Sequence, residues 1–131
     1  MKAIAKTALP DLFAALQGRV YVPVRDGKGF SFGLWEGQPW PDDYQNAIVP
    51  PKHILFPQTE DLYTFRMEGE DMAIDPVAVP EETSFIFGLR PCDCRAIELL
   101  DLVFREGPFV DAAYNKRREN TFLMVLGCKE G

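Results

Sequence analysis

Alternating apolar and polar positions predict a β-hairpin near the N-terminus. Residues 19–24 and 30–35 alternate in this way on either side of the turn sequence Asp26-Gly27-Lys28-Gly29. Pro23 lacks a backbone N–H, which predicts that the first of these strands lies at a sheet edge. A short helix is predicted before the hairpin, with Pro10 in its first turn and Gly18 at its end.

A strand–helix–strand unit is predicted in the last third of the chain. Residues 84–89 and 121–126 are nearly continuous apolar runs, as expected of strands buried on both faces. A helix from Asp93 to about residue 106 lies between them, and its side facing the sheet is expected to contain Ala96, Leu99, Leu100 and Val103. A second helical piece is expected at residues 111–118. The fold class is therefore α/β: a small mixed sheet with a parallel βαβ unit and an added antiparallel hairpin.

The middle of the chain is less regular. Residues 37–61 contain five prolines, which predicts a long irregular segment. Alternation at residues 63–68 predicts another strand, and the acidic residues that follow, up to Asp75, are interpreted as a solvated turn. We interpret residues 1–131 as a single domain, because this length supports one core but hardly two.

Charge and hydropathy exclude several classes of protein. The net charge is −6 and the isoelectric point about 4.8, so the chain would be repelled by nucleic acid. No run of about 18 apolar residues could cross a bilayer. The first residues lack the apolar core of a signal peptide. The odd number of cysteines, three, also favours a reducing compartment, and we expect a cytoplasmic protein.

The cysteines are the candidate functional residues of this sequence. Cys92 follows the first buried strand and Cys128 follows the second, so parallel pairing would bring both to the carboxyl edge of the sheet, where α/β proteins bind ligands. Cys92 and Cys94 also lie at a predicted helix N-terminus, which favours negative charge. Cys94 is ranked below Cys92, since it is expected to point between helix and sheet. Buried, inert thiols are the alternative.

Other candidate residues give weaker evidence of function. His53 is the single histidine, and we interpret it as a structural residue. A zinc or iron site rich in histidine is thereby excluded. The glycine-rich phosphate-binding motifs and the nucleophile motif G-x-S-x-G are missing from the sequence.

Four segments resemble one known family. They are residues 51–60 (PKHILFPQTE), 87–93 (FGLRPCD), 117–121 (RRENT) and 127–128 (GC), in that order. The chain from about Pro50 onward resembles the N-terminal part of the β subunits of nickel–iron sulfhydrogenases and of the corresponding iron–sulfur subunit of anaerobic sulfite reductase. Proteins of this family carry a ferredoxin-like pair of [4Fe-4S] clusters near the C-terminus, and they relay electrons between a flavoprotein and a catalytic subunit.

The resemblance implies a role for each residue near Cys92. Cys92 and Cys128 would be two ligands of an additional [4Fe-4S] cluster whose other ligands lie downstream, with Cys94 as a weaker candidate. Arg90 would raise the cluster's potential, and Asp93 would cap the helix rather than bind iron. The chain would be the non-catalytic N-terminal fragment of an iron–sulfur electron-transfer subunit, and we expect it to hold no stable cluster in isolation. Three cysteines cannot supply four thiolates.

Two alternatives belong to other functional classes. In the first, the chain is a thiol-based redox protein in which Cys92 is the nucleophile and Cys128 the resolving thiol. In the second, it is a structural interaction module that docks through the proline-rich segment 37–61.

Overall fold

The computed structural model describes residues 4–128. The elements, in chain order, are a 3₁₀ turn at Lys6–Ala8, α1 (Leu9–Ala15), β1 (Arg19–Asp26), β2 (Gly29–Leu34), α2 (Lys52–Leu55), β3 (Tyr63–Glu68), β4 (Asp71–Pro76), β5 (Ser84–Leu89), α3 (Pro91–Phe104), α4 (Ala112–Glu119) and β6 (Thr121–Val125). The prediction of one domain over residues 1–131 includes residues 1–3 and 129–131, which lie outside the described residues, and it stays a prediction.

The main sheet has four strands in the order β2-β1-β5-β6. β1 pairs antiparallel with β2 and parallel with β5, and β5 pairs parallel with β6. The predicted α/β class is therefore confirmed, with the N-terminal hairpin and the C-terminal parallel unit joined in one sheet. β3 and β4 form a separate two-stranded antiparallel sheet.

The prediction that β1 lies at a sheet edge is wrong. β1 is an inner strand, but its pairing with β5 covers only residues 19–21 and stops before Pro23. The Arg19 N–H donates to the Thr83 carbonyl on the β5 side, and by alternation the missing N–H of Pro23 falls on that same side. The β5–β6 ladder is irregular at Gly88 between Phe87 and Leu89. Pro23 is therefore tolerated in an inner strand, because the hydrogen-bonded pairing of β1 with β5 has already ended before the chain reaches it.

Helices cover both faces of the sheet. On one face, Leu9 and Phe13 of α1 pack against Val20 and Val22 of β1, with Trp35 and Trp40 at the margin. On the other face, the buried cluster contains Phe32, Leu55, Ile86, Leu89, Ile97 and Tyr114, contributed by β2, α2, β5, α3 and α4. Two apolar faces explain why β5 is apolar after its first residue, Ser84.

The predicted sheet-facing side of α3 is partly wrong. Leu100 does pack against the core, together with Ile97 and Phe104, but Leu99 and Val103 are more than half exposed. The polar Asp101 instead points inward, where its carboxylate accepts hydrogen bonds from Tyr114 Oη (2.8 Å) and Arg118 Nε (3.1 Å) of α4. α3 has apolar residues on most sides, so periodicity alone could not select the buried one.

The middle segment contains two elements that the sequence did not predict. α2 gives the otherwise irregular segment 37–61 one short helix. The strand at residues 63–68 is confirmed as β3, but the acidic stretch interpreted as a turn is β4, which pairs with it. Within residues 4–128, no helix combines the length and the apolar character needed to traverse a bilayer.

Gly88 provides a test of this packing. Its φ is +103°, and a Cβ added there would lie 2.8 Å from Trp40 Cη2 and 3.0 Å from Pro23 Cγ. We expect Gly88→Ala to lower the free energy of unfolding by about 3 kcal/mol, from backbone strain and crowding together.

The matched control is Gly69→Ala. Gly69 also has a positive φ, +70°, but nothing lies within 4 Å of the added Cβ. That variant should lose only about 1 kcal/mol. Equal losses for the two variants, measured by denaturant unfolding, would show that Pro23 and Trp40 do not crowd this position.

Candidate functional site

The carboxyl ends of β5 and β6 lie side by side. Leu89 pairs with Val125, and the Leu126 N–H then donates to the Leu89 carbonyl at 2.8 Å. Cys92 and Cys128 each lie three residues beyond a strand, and both are exposed. The parallel topology therefore places the two thiols at one edge of the sheet, as the hydrophobic pattern predicted. We call this region the cysteine edge.

Arg90 joins the two segments of the cysteine edge. Its Nη1 donates to the Gly127 carbonyl at 3.0 Å, and its Nε donates to the Gln45 carbonyl at 2.5 Å. The guanidinium also lies over the Tyr44 ring, 5.3 Å from the centroid. Arg90 thus connects the start of α3 to the residue before Cys128 and to the proline-rich segment.

Asp93 caps helix α3. Its Oδ2 accepts a hydrogen bond from the Arg90 backbone N–H at 3.0 Å, which is the reciprocal half of a capping box. Asp93 was predicted to cap the helix as its N-cap residue, but Arg90 holds that position, the helix begins at Pro91, and Asp93 caps it from the third helical position. Asp93 Oδ2 stabilises the start of the helix, and this capping role explains why an acidic residue stands at position 93.

Cys94 lies in a different environment from the other two cysteines. It is half-buried and packs against the cluster on the α3 side of the sheet. Burial raises the pKa of the Cys94 thiol, and the nearby carboxylates of Asp93 and Glu98 raise it further. Cys94 thus favours the neutral thiol, whereas a metal ligand must be a thiolate.

Tyr44 is a neighbour that sequence reasoning missed. It is buried in the irregular segment, and its hydroxyl donates to the Gly88 carbonyl at 2.9 Å. Burial raises the pKa of Tyr44 to about 12. Its ring packs edge-on against Trp40 and Phe30. The contact joins residues 44 positions apart, and no local sequence motif predicts it.

His53 lies away from any cluster of metal-binding residues. Its Nδ1 lies 3.1 Å from the Pro50 carbonyl, which agrees with the structural role predicted for it. Across residues 4–128, no three His, Cys, Asp or Glu side chains are grouped so that they could hold a metal ion. The described residues therefore offer a pair of exposed thiols rather than a complete ligand set.

Comparison with known proteins supports the resemblance seen in the motifs. The chain is 29% identical over 122 residues to sulfhydrogenase 2 subunit beta of Pyrococcus furiosus, an alignment that covers 91% of this chain. The chain is related to sulfhydrogenase β subunits. It spans 35% of the length of that relative. No protein-family model matches the chain, and no solved structure does.

The buried hydroxyl of Tyr44 predicts a pH-dependent effect. Tyr44→Phe should lower the free energy of unfolding by about 1 kcal/mol near neutral pH, because the bond to the Gly88 carbonyl is lost. The folded-state pKa of about 12 exceeds the ordinary 10.0, so folded protein retains the phenol proton that unfolded chain loses first. Stability contributed by Tyr44 is therefore complete below pH 10 and is lost as the pH rises toward 12.

Urea unfolding of both proteins at several pH values from about 8 to about 11.5 would measure this effect. The difference between wild type and Tyr44→Phe should shrink above the ordinary tyrosine pKa of 10.0. A difference that stays constant over the whole range would contradict the assignment of a buried, hydrogen-bonded phenol.

Proposed function

We propose that this chain is a domain of an iron–sulfur electron-transfer subunit in a hydrogenase-type complex. Cys92 and Cys128 would be two ligands of one [4Fe-4S] cluster. The observation that carries the proposal is the cysteine edge: two exposed thiols at equivalent positions beyond neighbouring parallel strands. The relationship to sulfhydrogenase β subunits is consistent with this role.

The remaining ligands would come from outside this chain. A standard [4Fe-4S] cluster uses four thiolates, whereas the sequence has three cysteines and one of them is packed against the core. The alignment covers only 35% of the matched relative, so related proteins have room for further ligands. A rigid sheet edge would hold the first two ligands in fixed positions, which is what cluster binding requires.

The proposed partners are those of an electron relay. The catalytic and flavoprotein subunits of the parent complex would exchange electrons through the cluster. This domain would place ligands and dock against its neighbours without carrying out bond chemistry itself. The terminal substrate would be decided by the other subunits.

The cysteine edge also supports a second candidate, a thiol-based redox protein. Cys92 and Cys128 are both free and exposed at one edge, as a nucleophile and a resolving thiol must be. This function predicts a reversible disulfide between them and no requirement for iron.

Anaerobic reconstitution of the full-length natural chain with iron and sulfide separates the two functions. Cys92→Ala and Cys128→Ala should each lower the iron bound at this cluster and weaken its thiolate-to-iron absorbance. Cys94→Ala is the matched control and should bind as much iron as wild type, since Cys94 is packed against the core.

Two results would contradict the cluster proposal. The first is equal iron binding by all three variants. The second is a thiol titration in which Cys92 and Cys128 form a reversible disulfide while the reconstituted protein holds no iron at this site. The second result would support the thiol-based function instead.

Arg90 provides an independent test of the same site. A positive charge beside a cluster stabilises its reduced state, so Arg90→Ala should make the midpoint potential of the reconstituted full-length protein more negative. Arg90→Lys retains the charge and should retain most of the potential. Arg95→Ala is the control, because Arg95 is exposed on α3, the helix that follows Arg90, and pairs with Glu98. If redox titration finds the same midpoint potential in Arg90→Ala as in wild type, Arg90 does not influence the cluster.

A further inference from the structure

The hairpin formed by β3 and β4 has one entirely apolar side. Side chains directly opposite in an antiparallel pair point to the same face. The three pairs on that face are Tyr63 with Pro76, Phe65 with Ile74, and Met67 with Met72. We call these six residues the hairpin face. The opposite side carries mostly polar residues, which are Thr64, Arg66, Glu68, Asp71, Ala73 and Asp75.

Nothing in the described part of the chain covers the hairpin face. Its Tyr, Phe, Met and Ile side chains are 56–71% exposed, and β3 and β4 make extensive contacts only with each other among residues 4–128. A two-stranded hairpin is marginally stable in water without a covered apolar side. A continuous apolar patch of this kind marks an interaction surface.

The base of the hairpin is fastened to the body of the protein. Before β3, Glu60 pairs with Arg117 of α4, and both side chains are largely buried. After β4, Glu81 pairs with Lys116 of the same helix at 2.8 Å. One helix thus anchors the chain entering and the chain leaving the hairpin.

The anchoring point lies at the opposite end of the sheet from the cysteine edge. α4 leads into the first residue of β6, and the Ser84 N–H at the start of β5 donates to the Asn120 carbonyl at the end of α4. Cys92 and Cys128 follow the other ends of these same strands. The hairpin face is therefore a second surface, distinct from the proposed cluster site.

Charge decides what kind of partner fits. Residues 61–76 carry five carboxylates and one arginine, so the hairpin as a whole is acidic, although Glu68, Asp71 and Asp75 lie on its polar side rather than on the hairpin face. Two copies of the hairpin would bring like charges together, which disfavours self-association, and nucleic acid would be repelled. Tyr, Phe and Met at the centre are the residue types enriched in the cores of protein interfaces. A protein with basic residues around an apolar centre matches both features.

We propose that the hairpin face docks onto another subunit of the natural complex, through a surface with an apolar centre and a rim of Lys and Arg. This rests on the proposed function and deepens it by naming the docking surface, and the contact involves none of the residues of the cysteine edge. The proline-rich segment 37–61, which served as the docking surface only in the alternative of a structural interaction module, contributes the buried side chains of Tyr44 and Leu55 to the core.

Photo-crosslinking in the natural complex tests which protein covers the hairpin. A photo-reactive phenylalanine analogue replaces Phe65 of the full chain in one preparation and Thr64, on the polar face, in a matched one. We expect crosslinks from position 65 to reach an apolar patch flanked by Lys or Arg on another subunit, with a yield about tenfold or more above that from position 64. Crosslinks to a second copy of this chain, to another part of the same chain, or equally from both positions would overturn the proposal.

Binding measurements with the crosslinked subunit then test the energetics. Phe65→Gln combined with Ile74→Gln should weaken binding about tenfold or more, whereas the control Thr64→Gln with Ala73→Gln should stay within about twofold. Glu70→Lys, in the turn between β3 and β4, should also weaken binding, because it reduces the negative charge of the hairpin. Full-strength binding by the apolar double variant would refute the hairpin face as the contact. Iron binding at the cysteine edge should be unchanged in every variant, so a failure here is distinguishable from a failure of the cluster proposal.

Discussion

The parallel pairing of β5 with β6 is the constraint on which the rest of the structure depends. Parallel neighbours must be joined by a crossover, and here α3 and α4 provide it while burying one face of the sheet. Because both strands run the same way, whatever follows each strand arrives at the same edge. Cys92 and Cys128, 36 positions apart in the sequence, are brought to the same edge of the sheet in this way, and Arg90, between strand and helix, joins the two segments through its hydrogen bond to the Gly127 carbonyl.

The same pairing separates two surfaces by the length of a strand. The carboxyl ends carry the cysteine edge, which is small, polar and held by backbone hydrogen bonds. The amino ends lie beside α4, whose Lys116 and Arg117 anchor an apolar hairpin. Two exposed cysteines at one end and an uncovered apolar surface at the other are consistent with the proposed role, in which the domain would help to hold a cluster while attached to a neighbouring protein.

Buried polar contacts give this small fold its specificity. Asp101 joins α3 to α4 through Tyr114 and Arg118, and Tyr44 joins the irregular segment to β5 through the Gly88 carbonyl. Each satisfies a polar group that would otherwise be buried without a partner. The Tyr44 contact, together with the hydrogen bond from Arg90 to the Gln45 carbonyl, also explains how a proline-rich segment with little secondary structure is held beside Arg90.

Local pattern alone determined the positions of five of the six strands described, the N-terminal hairpin, the α/β class and the placement of two cysteines beyond parallel strands, because side-chain alternation and apolar runs are properties of neighbouring residues. It did not determine the inner position of β1, since Pro23 is tolerated only where the β5 ladder ends. It also could not select the buried side of α3, place Tyr44, or show that an acidic stretch pairs as β4. Those features depend on contacts between residues far apart in sequence, and only the tertiary structure decides which of several locally acceptable arrangements is made.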